Sequence, residues 1–228
     1  MLIKGLQKTT LLDYPSKIAA TIFTGGCNFR CPFCHNASLV TRQDTEAIPE
    51  EEVLSFLEKR CGILDGVCIT GGEPLLQKDI ALFCEKVHSL GLLIKLDTNG
   101  SRPAELQSLI DGKLVDYIAM DVKNSKELYA KTCGVSQFPS KVEESIKIIM
   151  SSGLPYEFRT TVVKELHTPE SIDALCRWIT GANRYYLQGF IDSGDTIEKG
   201  FSAYSAEEMT NLLEIAKRYV PTAELRGI

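Results

Sequence analysis

The chain has 228 residues, a formal net charge of −5, 44% hydrophobic and 24% charged residues, the usage of an ordinary globular protein. An acidic balance without Lys/Arg-rich blocks speaks against wrapping nucleic acid or lying on an anionic membrane, since both need a concentrated positive field. The apolar runs fall short of the ~18 residues of a membrane span, and Met1-Leu2-Ile3-Lys4-Gly5 lacks the apolar region of a signal peptide. The expectation is a cytoplasmic protein without nucleic-acid or membrane partners, a single domain over 1–228 with a short N-terminal extension, 1–17. Eight cysteines in such a chain point to metal or cofactor ligation rather than disulfides.

In chain order, six β-rich apolar runs stand out: Ile18 to Phe23, Gly66 to Thr70, Leu92 to Leu96, Val115 to Met120, Tyr156 to Val163 and Tyr185 to Leu187. Helical patterns lie between and after them. Pro49 and Glu50 to Glu52 open the first, with Val53, Phe56 and Leu57 at helical spacing. Ile80, Phe83, Cys84, Val87 and Leu90 mark the second, which stops at Gly91. Pro103 opens the third. Ser140 with Glu143, and Ser205 with Glu208, have capping-box spacing for the fourth and sixth, and Thr168-Pro169 opens the fifth. Strand and helix alternating six times predict βαβ units and a parallel sheet. Six units are too few for a full eight-unit barrel of ~250 residues, so the predicted fold is α/β, a partial (β/α)6 TIM-like barrel, open-sided. Chemistry is expected at the carboxyl ends of its strands.

Directly after the first of these strands, Cys27, Cys31 and Cys34 form C-x3-C-x2-C in a loop punctuated by Gly25, Gly26, Asn28 and Pro32. Soft thiolates this close select zinc, copper(I) or an iron–sulfur cluster. Three protein ligands to a [4Fe–4S] cluster leave one iron open for chemistry. The plainer alternative is a zinc-binding module that adds His35 as fourth ligand. After the second strand come Gly71, Gly72, Glu73 and Pro74, where bare backbone allows close approach and a carboxylate could hold an ammonium. By itself this is equally a tight turn. Cys68, Cys84 and Cys176 read as small buried hydrophobes, Cys61 and Cys133 lack cysteine neighbours at ligand spacing, and His88 and His167 read as surface residues.

With Cys27, Cys31 and Cys34, the aromatic Phe33, and Gly71-Gly72-Glu73-Pro74 one strand later, the sequence resembles the radical S-adenosylmethionine (SAM) superfamily. The resemblance implies that the three cysteines hold a [4Fe–4S] cluster and that Gly71, Gly72 and Glu73 contact the methionyl amino group of SAM. It also implies reductive cleavage of SAM to a 5′-deoxyadenosyl radical, and a partial (β/α)6 barrel.

Leu96-Asp97-Thr98-Asn99-Gly100 and Met120-Asp121-Val122-Lys123 resemble the corresponding strand ends of glycyl-radical-enzyme activases. That likeness implies Asp97, Thr98 and Asp121 around a monovalent cation, with Asn99 and Lys123 near the cofactor. It further implies Arg159 on the SAM carboxylate or ribose and Gln188 near the adenine or ribose. The stretch Gly5 to Pro15 with Ile18 to Phe23 resembles the activating proteins of anaerobic ribonucleoside-triphosphate reductase. The implied partners are a large glycyl-radical enzyme, anaerobic ribonucleotide reductase above all, and a flavodoxin- or ferredoxin-type electron donor. A radical SAM enzyme acting on a small molecule or peptide is the alternative.

Overall fold

A computed structural model of the chain describes residues 1–41, 46–136, 139–192 and 194–228. It is an α/β protein whose strands follow one another in sheet order β1 to β8. Contacts divide the chain into two compact units: 1–28, 38–98 and 102–118 form the first, and 29–37, 99–101 and 119–228 the second.

In the first unit β1 (Ile3–Thr10) lies antiparallel to β2 (Ala19–Thr24), with two register shifts, at the sheet edge. β2 pairs in parallel with β3 (Gly66–Gly71), and β3 with β4 (Leu93–Thr98). The extension read as preceding the fold therefore contributes a strand. Between these strands run α1 (Ala37–Thr41), α2 (Glu50–Glu58), a 3-10 turn (Pro74–Leu76) and α3 (Ile80–Ser89), and α4 (Pro103–Asp111) follows β4. Helix α2 carries Glu50, Glu51 and Glu52 in its first turn, where the helix dipole favours them, and buries Val53 and Leu57 one turn apart. Helix α3 packs on β4 and is followed by Gly91 at φ +77°, a left-handed position suited to glycine.

β5 (Tyr117–Asp121) begins in the first unit and ends in the second. The second unit continues with α5 (Tyr129–Cys133), α6 (Pro139–Ser151), β6 (Tyr156–Val162), α7 (Pro169–Trp178), β7 (Tyr185–Gly189), α8 (Ala206–Lys217) and β8 (Glu224–Arg226). β6, β7 and β8 pair in parallel. The capping boxes of α7, Thr168 with Ser171, and of α8, Ser205 with Glu208, both form. The expected Ser140–Glu143 box does not: α6 starts at Pro139, so Ser140 lies inside the first turn, and Glu143 turns to Lys126 and Lys147 instead. No helix among the described residues is long and apolar enough to cross a membrane.

The two faces of the strands differ in kind. On one face β3 and β4 bury Val67, Ile69, Ile94 and Leu96 completely. On the other, Cys68 and Thr70 of β3 stand beside Lys95 and Asp97 of β4, because side chains alternate with period two. Strands β6 and β7 repeat this contrast, with Phe158, Val162, Tyr185 and Leu187 on the apolar face and Glu157, Arg159, Thr161, Tyr186 and Gln188 on the other. A strand covered on both faces is ordinarily apolar throughout. The polar face is where chemistry is to be sought.

Candidate active site

In the first unit the loop that begins the cysteine motif is fastened backbone to backbone. Gly25 N–H donates to Leu2 O at 2.9 Å, Gly26 N–H to Leu39 O at 2.9 Å, and Glu73 N–H to Gly26 O at 2.8 Å. Gly71 has φ +106°, and a Cβ there would meet Thr24 O at 2.6 Å; one on Gly72 would meet Gly26 O at 1.9 Å. Both glycines are thus required by the contact between this turn and the start of the cysteine loop, in addition to any role toward a ligand. Glu73 is fully buried, and its Oε1 accepts from Leu75 N–H at 3.1 Å and from the Thr98 hydroxyl at 2.8 Å. Glu73 and Thr98, two residues expected in the site, are therefore joined directly.

Asp97 is held by its own strand and the next. Its Oδ2 accepts from the Thr70 hydroxyl at 3.2 Å, and its Oδ1 takes the Lys95 ammonium. The Cys68 thiol stands 3.7 Å from both Asp97 Oδ1 and Lys95 Nζ, so Cys68 is buried as expected but among polar groups. Lys95 was not singled out from the sequence. A lysine inside the apolar run Leu92-Leu93-Ile94-Lys95-Leu96, two residues before Asp97, was the available signal.

In the second unit the remainder of the cysteine motif sits on α5 and on the segment around Phe201. Arg30 N–H donates to Cys133 O at 2.8 Å, Glu198 N–H to Pro32 O at 2.8 Å, and Cys34 N–H to Cys31 O at 3.0 Å. Phe29 meets Tyr129 edge-on at 6.3 Å, and Phe33, buried, meets His167 and Phe201 at 6.3 and 6.2 Å. Cys133 has no cysteine at ligand spacing in the sequence, but α5 brings it beside Cys31, whose thiol it holds below its ordinary value by a hydrogen bond. Burial opposes that shift, and the Lys123 ammonium reinforces it. Burial pushes the Cys34 thiol up. His167 also departs from expectation. It is fully buried, with Nε2–H donating to Lys123 O at 2.8 Å and Nδ1 accepting from Val163 N–H at 3.1 Å, and burial keeps it neutral.

Asp121, Lys123 and Arg159 form one ionic group. Asp121 Oδ2 takes the Lys123 ammonium at 2.9 Å and Oδ1 takes Arg159 Nε–H at 2.9 Å. Burial alone would raise the Asp121 carboxyl, but Arg159 and Lys123 outweigh it and hold the group well below the carboxylate range. Burial likewise would lower Lys123, and Asp121 outweighs it to hold the ammonium well above its usual value. The chain of charges continues through Glu157, 4.0 Å from Arg159 and buried, to Arg226, which donates to Glu157 at 2.9 and 3.3 Å and lies 3.7 Å over the Tyr186 ring. Gln188 is half-buried on β7, opposite Thr161 and Arg226. Asn99 closes the turn after β4, its Oδ1 accepting from Ser101 N–H at 2.9 Å.

The donor set suits a sulfur-bound cluster: three cysteines in one loop, one of them with an acidified thiol. Among the described residues no group of three His, Cys, Asp or Glu side chains could hold a single metal ion.

These features, an α/β fold with polar strand ends and a three-cysteine loop, define a class of cluster-dependent enzyme, and comparison with known proteins names it. The Radical SAM superfamily model matches residues 21–179, so the chain belongs to that superfamily, whose members use a [4Fe–4S] cluster and SAM. It is 30% identical, over 100% of its length and 96% of the relative's, to a Methanocaldococcus jannaschii protein named "Putative glycyl-radical enzyme activating enzyme". It is 29% identical to the 7-carboxy-7-deazaguanine synthase of Hyperthermus butylicus, over 71% of this chain and 64% of that one. Among solved structures it resembles Streptococcus suis SuiB bound to its precursor peptide SuiA, with a TM-score of 0.73 at 19% identity, over 91% of this chain and 48% of that one. The fold is the open partial barrel of this class.

Proposed function

We propose that the protein is a glycyl-radical-enzyme activase. The observation that carries the reading is the match to the Methanocaldococcus jannaschii relative, which runs over 100% of this chain and 96% of that one. Cys27, Cys31 and Cys34 hold the cluster. Glu73, positioned by Thr98 and Leu75 N–H, receives the methionyl ammonium of SAM beside Gly71 and Gly72. Arg159 and Lys123, steadied by Asp121, supply positive charge toward the SAM carboxylate, and Asn99 and Gln188 supply polar contacts. Phe33 anchors the cysteine loop against His167 and Phe201. When bound and reduced by one electron, cluster and SAM supply a carbon radical that takes a hydrogen atom, leaving methionine and 5′-deoxyadenosine. The hydrogen comes from a glycine of a large partner enzyme, an anaerobic ribonucleotide reductase, and the electron from a flavodoxin- or ferredoxin-type donor.

The likeness to a deazaguanine synthase favours a second reading, a small-molecule substrate. The test is anaerobic reconstitution with iron and sulfide, reduction, and assay of 5′-deoxyadenosine with and without an anaerobic ribonucleotide reductase. A partner-dependent glycyl-radical EPR doublet is expected. Deoxyadenosine without that doublet, rising instead with a small substrate, would favour the second reading. A colourless zinc protein forming no deoxyadenosine would overturn both.

A further inference from the structure

The activase resemblance implies a monovalent cation among Asp97, Thr98 and Asp121, but the residues present do not fit a dissociable ion. Each has a partner within its own unit: Thr98 donates to Glu73, Asp121 takes Lys123 and Arg159, and Asp97 takes Lys95. Lys95 is 2% exposed, and its Nζ reaches both Asp97 Oδ1 and, at 3.7 Å, the Cys68 thiol. A buried ammonium is stable only when a carboxylate or equivalent acceptors surround it, so Lys95 and Asp97 fix each other. Register places them together: Lys95 pairs with Cys68 across β3 and β4, and period two puts Asp97 on the same face.

We propose that the Lys95 ammonium is a built-in monovalent cation for this strand end. It makes Lys95 a positioning residue for the Asp97-Thr98 segment, and through Thr98 for Glu73, with no demand for sodium or potassium. The consequence for SAM rests on the function proposed above; the pairing itself does not. A tethered charge cannot dissociate, so Asp97 stays neutralised at any salt concentration. Removing the ammonium leaves a carboxylate, a thiol and a hydroxyl around a space of cation chemistry, and hard oxygen donors then recruit an ion from solution.

The test compares the full chain in sodium chloride, potassium chloride and choline chloride at constant ionic strength. One arm is the melting temperature of the cofactor-free protein, and the other is equilibrium binding of SAM to the reconstituted protein. The wild type is expected to show no saturable dependence on sodium or potassium in either arm. Lys95→Ala is expected to melt lower in choline, to recover saturably with sodium or potassium, and to show the same rescue in SAM affinity. Saturable dependence in the wild type, or a folded Lys95→Ala without rescue, would overturn the proposal. Should Lys95→Ala fail to fold, Lys95→Gln takes its place under the same criteria. The thermal arm needs no SAM, so it can succeed where the deoxyadenosine assay fails, and the reverse.

Discussion

At the scale of single residues, the proposed function makes Cys27, Cys31 and Cys34 the cluster ligands and Cys133 a neighbour of one of them. Cys27→Ala, Cys31→Ala or Cys34→Ala should each abolish reconstituted brown colour and deoxyadenosine formation, as iron and sulfide analysis would show. Cys133→Ala should retain the cluster, because its thiol acts on Cys31 by a hydrogen bond. The expected signature is slower reconstitution near neutral pH, where less Cys31 thiolate is present; complete iron loss would make Cys133 a ligand. Cys84 and Cys176, pushed up to about 12 by burial, should stay unreactive toward alkylating agents in the folded protein.

The Asp121 group gives a pH dependence. Its folded carboxyl lies below the ordinary value of 3.8, so the pairing with Arg159 and Lys123 stabilises fully above that value and is lost as pH falls through the folded one. Asp121→Asn should cost about 2 kcal/mol near neutrality, the group being partly exposed, and should flatten the acid limb of melting temperature against pH. An acid limb unchanged from wild type would refute the assignment. None of these pairings was legible from the sequence, which identified Asp121, Lys123 and Arg159 one at a time. Glu157 and Arg226 went unnoticed because the contact joins residues 69 apart.

At the scale of elements, the six strands read from the sequence and four of the five helix starts signalled in it follow from apolar periodicity, proline and capping residues. The exceptions have physical causes. Strand β1, Ile3-Lys4-Gly5-Leu6-Gln7-Lys8-Thr9-Thr10, alternates poorly because it lies at an edge, and β8 has three residues, too short for any period to show. Helix α5, of five residues, depends on burying Tyr129 and Cys133 rather than on propensity. The Gly71-Gly72 turn is more tightly specified than its residue types alone indicate. Gly72→Ala should destabilise by about 2 to 4 kcal/mol, since the Gly26 carbonyl stands where the methyl would go. Gly62→Ala, at φ +81° but with open space around it, should cost only about 1 kcal/mol. Urea denaturation of the two variants checks the contrast.

At the scale of the whole chain, each compact unit is assembled from three separate stretches. The second takes 29–37 and 99–101 from within the first half of the sequence. These carry Phe29 and Phe33, which pack on Tyr129, His167 and Phe201, and Gly100, whose carbonyl accepts from Ser145 at 2.8 Å. A fragment 119–228 lacks all of them and should have a poorly dispersed amide NMR spectrum; good dispersion would show that these insertions are dispensable. The fold class was readable because its signals are local. The interleaving was not, since it depends on contacts between segments far apart in sequence.

The fastening of Gly25 and Gly26 to Leu2, Leu39 and Glu73 has a consequence for the life of the enzyme in air. These are bonds between main-chain atoms, and none of them passes through a cysteine sulfur. If, as proposed, the loop holds a cluster, its loss would leave this end of the loop still folded back on the Gly-Gly-Glu turn, with little ordering entropy left to spend there. On the proposed function, repair would then be an exchange of iron and sulfide with this end of the loop already in place.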